Sequence, residues 1–190
     1  MLDKPNLLVY SFSKPSDLEG VGNVVLNTSK RFGKFNVSYL NLGTFRKFWF
    51  YSFLSPLFFA FNVFKLKPVI VFVHTTEASF DPIIAKKIFG FNYKIVCVAH
   101  GLVSDVLKEY LKEVQLGNSK KRLFFILNMK ISSFRTSFIK ECNDVIAVSS
   151  MVQKRLNEKY GANSAVIPNG IDLQVSLKSK NLSSDRILFS

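Results

Sequence analysis

Histidine and cysteine are nearly absent from this chain, at two each in 190 residues. Cys97 lies inside an apolar run and Cys142 just before another, so the pair has no metal-ligand spacing and builds no disulfide framework. A reducing, intracellular setting is the simpler reading, with a single bridge left open. A secretion signal is not expected either, because Asp3 and Pro5 stand where a basic region and a long apolar core are required. The uncharged stretch Phe48 to Phe64 is interrupted by Pro56 and is shorter than the roughly 20 apolar residues of a spanning helix. No Gly-Lys-Ser/Thr is present, which removes a Walker A loop, and no Gly-x-Ser-x-Gly marks a nucleophile elbow. Gly20 and Gly22 form a Gly-x-Gly turn without the third glycine or the later acidic residue of a dinucleotide fingerprint. Nicotinamide enzymes and P-loop ATPases are therefore disfavoured.

Acidic residues are also scarce: 13 Asp and Glu face 26 Lys and Arg, a net charge of +13. An excess of this size attracts polyanions across a Debye length of roughly 8 Å. It leaves nucleic acid, an anionic membrane and a phosphorylated substrate open. From Lys112 to Lys140, seven basic residues are opposed by Glu113 alone, which implies a local basic face. Nucleic acid ranks last, because no recognised reader motif accompanies the charge.

The residues that are plentiful are apolar, 48% of the chain with 20 Phe, and 190 residues suffice for one domain with a full core or for one domain plus the start of another. Short runs at Asn6 to Phe12, Val69 to His74, Tyr93 to His100 and Asp144 to Ser149 have no polar face, as in strands buried on both sides of a parallel sheet. "FNVSYLNLG" and "SAVIP" read as further strands. Between them, helices are expected from Gly22 to a C-cap at Gly33, from Asp81-Pro82 to Gly90, within 104–116 and 121–141, and from a Ser149 or Ser150 N-cap to Gly161. Alternation with short connections predicts a doubly wound parallel α/β sheet. Phe48 to Phe64 reads as a core-facing helix, with an interfacial membrane element as the alternative. Residues 121–140 repeat its mixture of aromatics and lysines.

In such sheets, ligands bind at the carboxyl ends of the strands. His74, His100-Gly101 and Ser149 all fall there, and these are the chain's two histidines. Each strand-end histidine has a plain alternative as a partner for a nearby carbonyl.

The stretch "NDVIAVSSMVQKRLNEKYGANSAVIPNGID", residues 143–172, resembles the close of the N-terminal domain in GT-B glycosyltransferases, specifically the retaining glycosyltransferase family 4, group 1. The matching positions are the strand Asp144 to Ser149, Tyr160-Gly161 and Pro168 to Asp172. The Gly20/Gly22 loop and "VCVAHG" resemble that family's glycine loop and its strand ending His-Gly. The resemblance implies the Rossmann-like, acceptor-binding N-terminal half of a GT-B fold over residues 1–172, a linker at 173–185, and at 186–190 the first strand of a donor-binding domain that this chain lacks. It implies hexosyltransferase-like transfer from a nucleotide-sugar to a lipid-linked or glycan acceptor, with no cofactor and no obligatory metal. His100 would contact the transferred sugar, Gly20 and Gly22 would approach donor phosphate or acceptor, and Ser149, Asn169 and Gly170 would line the cleft. His74 and Glu77 join the candidates from strand-end position alone. Without the donor half, the isolated chain is expected to be inactive unless a partner chain completes it. The alternative is a non-catalytic subunit or membrane-associated scaffold. A cytoplasmic location, peripheral on an anionic membrane, fits the basic and aromatic segments.

Overall fold

The computed structural model describes residues 4–12, 24, 25, 27, 30–41, 51–103, 105, 106, 108, 109 and 119–169. Gly20, Gly22, Gly170, the expected linker 173–185 and the expected strand 186–190 lie outside the described residues.

Six strands form one sheet: β1 (Asn6–Ser11), β2 (Asn36–Asn41), β3 (Ile70–His74), β4 (Lys94–Ala99), β5 (Asp144–Ala147) and β6 (Ala165–Val166). Their order is β2-β1-β3-β4-β5-β6, and every neighbouring pair is parallel. The runs without a polar face become β1, β3, β4 and β5, which place apolar side chains in a packed cluster on each side of the sheet. On one side Leu8, Tyr10, Val71, Val73, Ile95, Cys97, Val145 and Ala147 pack in a single cluster. That cluster takes in Phe59, Ala60 and Val63 of α1 (Tyr51–Leu66), Ile83 and Ala85 of α2 (Phe80–Phe89), and Ile139 just beyond α3 (Ser119–Thr136). It also takes in Val152 and Leu156 of α4 (Ser150–Tyr160). On the other side Leu7, Val9, Phe72 and Val98 pack with Val25, one of the helical residues 24, 25, 27 and 30, and with Phe32 and Phe35. Each large side chain so buried contributes roughly 1.5–3 kcal/mol, which makes the sheet the fixed frame of the molecule.

The predicted boundaries hold where a cap defines them. Gly90 and Gly161 end α2 and α4 in the left-handed region, at φ 68° and 63°, with their N–H groups returned to the last turn. Ser149 caps α4, its hydroxyl accepting from the Val152 N–H at 3.3 Å. That role draws Ser149 out of the predicted strand, and β5 stops at Ala147. Gly33 is not in the left-handed region; its carbonyl accepts from Lys4 Nζ at 2.8 Å. "SAVIP" pairs only through Ala165 and Val166. The helix expected over 121–141 runs as α3 and then tightens into a 3-10 turn, Ser137–Glu141.

Two helices depart from simple amphipathic reading. Helix α1 buries Ser55, Phe59, Ala60 and Val63, yet exposes Leu54, Leu57, Phe58, Phe61 and Phe64 along its opposite side. Core-facing and exposed aromatic faces therefore coexist on one helix. Helix α3 is inverted: Ser132, Arg135 and Thr136 point inward while Leu123, Leu127 and Phe134 point out. Arg135, counted in sequence as part of the local basic face, is only 5% exposed.

Arg135 is buried because it neutralises Asp81. Its Nη2 donates to both Asp81 carboxylate oxygens at 2.8 Å, and Nη1 donates to Ser55 Oγ at 3.2 Å. Ser55 Oγ donates to Asp81 Oδ1 at 2.6 Å, and the Tyr10 hydroxyl donates to Asp81 Oδ2. The guanidinium also lies 4.7 Å from the centroid of the Phe80 ring. Burial lifts the Asp81 carboxyl above its usual range while Arg135, Ser55 and Tyr10 pull it back. Burial, with the adjacent carboxylate, pushes the Tyr10 hydroxyl well up, so it stays a donor. Removing one charge strands the other. Arg135→Met is expected to lower unfolding free energy in urea by about 3–5 kcal/mol, and Asp81→Leu with Arg135→Met to recover more than half of that loss.

Candidate functional site at the carboxyl edge of the sheet

The chain winds outward in both directions from β1, since β2 lies on one side and β3, reached by a crossover over β1, on the other. Such a reversal opens a crevice at the carboxyl ends of the two inner strands. Ser11, the last residue of β1, is the register partner of both Asn41 and His74, the last residues of β2 and β3. Register partners in a parallel sheet share a face, so Asn41, Ser11 and His74 form a row. His74 pairs in register with Val98, and His100, two residues further along, continues the row.

His74 and His100 are brought together. Nδ1 of His74 lies 3.2 Å from Nε2 of His100, and the rings stack at a centroid distance of 5.5 Å and 15° between planes. His74 is 1% exposed and rests its ring edge-on against Phe72. Its Nε2 is buried and has no hydrogen-bond partner. Burial, and then repulsion from His100, push the His74 pKa down to about 3; burial also lowers that of His100. Both imidazoles are therefore neutral near pH 7.

The next residue, Thr75, has φ 85° and ψ 137°, a conformation a β-branched residue rarely adopts. Its backbone is pinned from both sides. The N–H donates to the Val98 carbonyl at 3.1 Å, and the carbonyl accepts from the Ala78 N–H at 3.3 Å and the Cys97 thiol at 3.8 Å. The Thr75 hydroxyl is buried without a partner. Strained backbone held by neighbours beside two orphaned polar atoms is the pattern of a binding site.

The other candidates separate from this pair. Glu77 is buried in the 3-10 turn Thr76–Ser79, where its carbonyl accepts from Arg135 Nε at 3.4 Å. Ser149 spends its hydroxyl on the α4 cap, and Asn169 is exposed beyond β6; neither hydrogen-bonds to the histidines. Sequence reasoning missed Ser11, Asn41 and Thr75. The first two carried a readable signal, as polar residues ending apolar strands, whereas the backbone strain of Thr75 leaves no trace in residue type. Among the described residues, no three His, Cys, Asp or Glu side chains gather as a metal ion would require.

A histidine kept neutral by folding costs stability in acid, because the unfolded chain binds the proton that the native one refuses. With a native pKa of about 3 against an unfolded value near 6.5, the His74 contribution is fully present above about pH 6.5 and is lost as pH falls towards 3. Wild type is expected to lose up to about 1.4 kcal/mol more per pH unit than His74→Gln between about pH 6 and 4, read from urea unfolding across pH. Thr75→Gly is expected to be neutral or to stabilise by up to about 1 kcal/mol in the same assay, since relief of strain outweighs the added freedom of the unfolded chain.

No curated protein is significantly similar to the chain. The model of Glycosyltransferase Family 4 matches residues 24–175, most of the chain, from the helix after β1 to just past β6. The match takes in β2 to β6 of the parallel Rossmann-like sheet and both histidines, while β1 precedes it. With this sheet, this switch point and this match together, the chain belongs to glycosyltransferase family 4, as a GT-B type N-terminal domain.

Proposed function

We propose that this chain is the acceptor side of a retaining glycosyltransferase that moves a sugar from a nucleotide-sugar to a lipid-linked or glycan acceptor. The observation that supports it is the neutral His74–His100 pair, held at the carboxyl edge beside the β1/β3 switch point of a family 4 domain. His100 contacts the transferred sugar, and a neutral imidazole has one N–H to donate to a sugar hydroxyl or phosphate oxygen. Gly20, Gly22, Asn169 and Gly170 contribute backbone and short polar groups to the cleft, and Ser149, its hydroxyl kept on the α4 cap, lines it with its backbone. The basic residues that hold a diphosphate come from a second domain or a partner chain, and the reaction proceeds without an obligatory metal or other cofactor. Expressed with whatever chain completes it, and supplied with labelled nucleotide-sugars and native membrane extract, the protein is expected to transfer label with retained anomeric configuration. His100→Ala is expected to lower the rate about 10²–10³-fold. Transfer undiminished in that variant sinks the site; no transfer from any donor sinks the reaction.

The exposed face favours a second element of this reading, attachment to an anionic membrane at the cytoplasmic surface. No described helix is long and apolar enough to cross a bilayer. Instead Leu54, Leu57, Phe58, Phe61 and Phe64 recur at helical spacing on the open side of α1. Phe64 also packs against Phe89 at the end of α2, beside the exposed Ile88. Lys65 lies 4.3 Å from the centroid of the Phe61 ring. Large apolar side chains bordered by lysines suit the headgroup region of an acidic bilayer, where each lysine near the surface adds about 1 kcal/mol. Flotation with liposomes containing anionic lipid is expected to carry the protein, and Phe61→Ser with Phe64→Ser to abolish most of it. Absence of flotation with any lipid composition rules out the attachment.

A further inference from the structure

We propose that His74 is a positioning residue that dictates which ring nitrogen of His100 carries the proton: the two imidazoles, joined through His74 Nδ1 and His100 Nε2, share one tautomer, both protonated on Nδ1. The choice of His100 as the group that meets the ligand rests on the function proposed above; the lock itself rests on geometry alone.

At 3.2 Å, one proton lies between the two nitrogens, and only two neutral arrangements fit. If His74 donates from Nδ1, His100 accepts at Nε2 and must carry its own proton on Nδ1. If His100 donates from Nε2, His74 accepts at Nδ1 and must carry its proton on Nε2. The tautomers are therefore coupled, and neither ring can change alone without breaking the contact. The second arrangement places an N–H on His74 Nε2, which is buried and faces no acceptor. Orphaned buried N–H donors are among the rarest features of folded proteins, whereas an unfilled acceptor is less severe. The first arrangement is selected. His100 then offers Nδ1–H, a hydrogen-bond donor, to whatever occupies the edge, and the ligand atom it takes is an oxygen acceptor, a sugar hydroxyl or a phosphate oxygen. The stacking of the rings at 15° and the edge-on Phe72 ring keep His74 from turning away. An unassisted imidazole in water prefers the opposite tautomer, so the lock has a visible consequence.

The test is long-range proton–nitrogen NMR of the uniformly ¹⁵N-labelled full chain, which has only two histidines and hence two ring patterns. At pH 7, both rings are expected as Nδ1–H tautomers. His74→Phe keeps an aromatic ring but removes the nitrogen, and His100 is expected to revert to a mixture dominated by Nε2–H. His74→Asn, whose side-chain amide can replace the Nδ1–H donor, is expected to restore the Nδ1–H form of His100. Opposite tautomers in the two wild-type rings, Nε2–H in both, or a His100 pattern unmoved by His74→Phe would each overturn the proposal. The wild-type spectrum decides alone should the Phe variant fail to fold. Loss of sugar transfer in His100→Ala with no shared tautomer would refute the lock and leave the proposed function standing; the reverse result would do the opposite.

Discussion

A guanidinium sealed among the side chains of Phe80, Phe12 and Ser55 has to be neutralised where it lies, and Asp81 does this with hydrogen bonds that use four separate elements. Tyr10 comes from β1, Ser55 from α1, Asp81 from α2 and Arg135 from α3. Because a lone buried charge is worth several kcal/mol of penalty, none of the four can drift without exposing the others to it. Arginine is required rather than lysine, since its planar fork reaches two oxygens of Asp81, the Ser55 hydroxyl and the Glu77 carbonyl at once. Through Glu77 the network holds the turn that begins two residues after His74. The strained Thr75 sits between that turn and β3, and is pinned from β4 as well. The charged cluster on one side of the sheet thus supports the geometry of the imidazoles on the other.

Inversion of α3 follows from the same constraint. A helix that must send Arg135 and Thr136 inward turns Leu123, Leu127 and Phe134 outward, against the ordinary preference for burying apolar area. The exposed side of α1 adds five more large apolar residues. Lys87, on α2 between them, lies 5.7 Å from the centroid of the Phe138 ring. Large contiguous apolar surfaces are uncommon on monomeric soluble proteins.

Much of the frame was legible because its signals are local. Runs such as "VIVFVH" and "YKIVCVAH" lack a polar face, and only a doubly covered parallel strand satisfies that pattern. Gly90, Gly161 and Ser149 announce helix ends through backbone freedom and a single oxygen. The strand-end rule brought His74 and His100 to one edge. What it could not supply is their contact, which depends on the adjacency of β3 and β4 and on the register His74↔Val98. The Asp81–Arg135 pair was hidden for the same reason: 54 residues separate the partners, and each has an innocent local reading, as a helix-start acid and a surface base. Ser149 was read both as a cap and as a cleft residue; the cap is what the hydroxyl does.

Parallel topology gives the row at the carboxyl edge a temporal meaning. Strand β1 is made first but lies inside the sheet, and the neighbour that covers its second flank, β3, begins at Ile70. Until that segment has been synthesised and has crossed over, the apolar residues Leu7 to Tyr10 have an unpaired backbone on at least one side. Such long-range pairing is slow and exposed to aggregation. Ser11 and His74 meet only when it is finished, and His100 can stack on His74 only after β4 has docked against β3. The imidazole pair is in this sense assembled last among its own strands, and its presence in a folding chain marks the moment at which the centre of the sheet has closed.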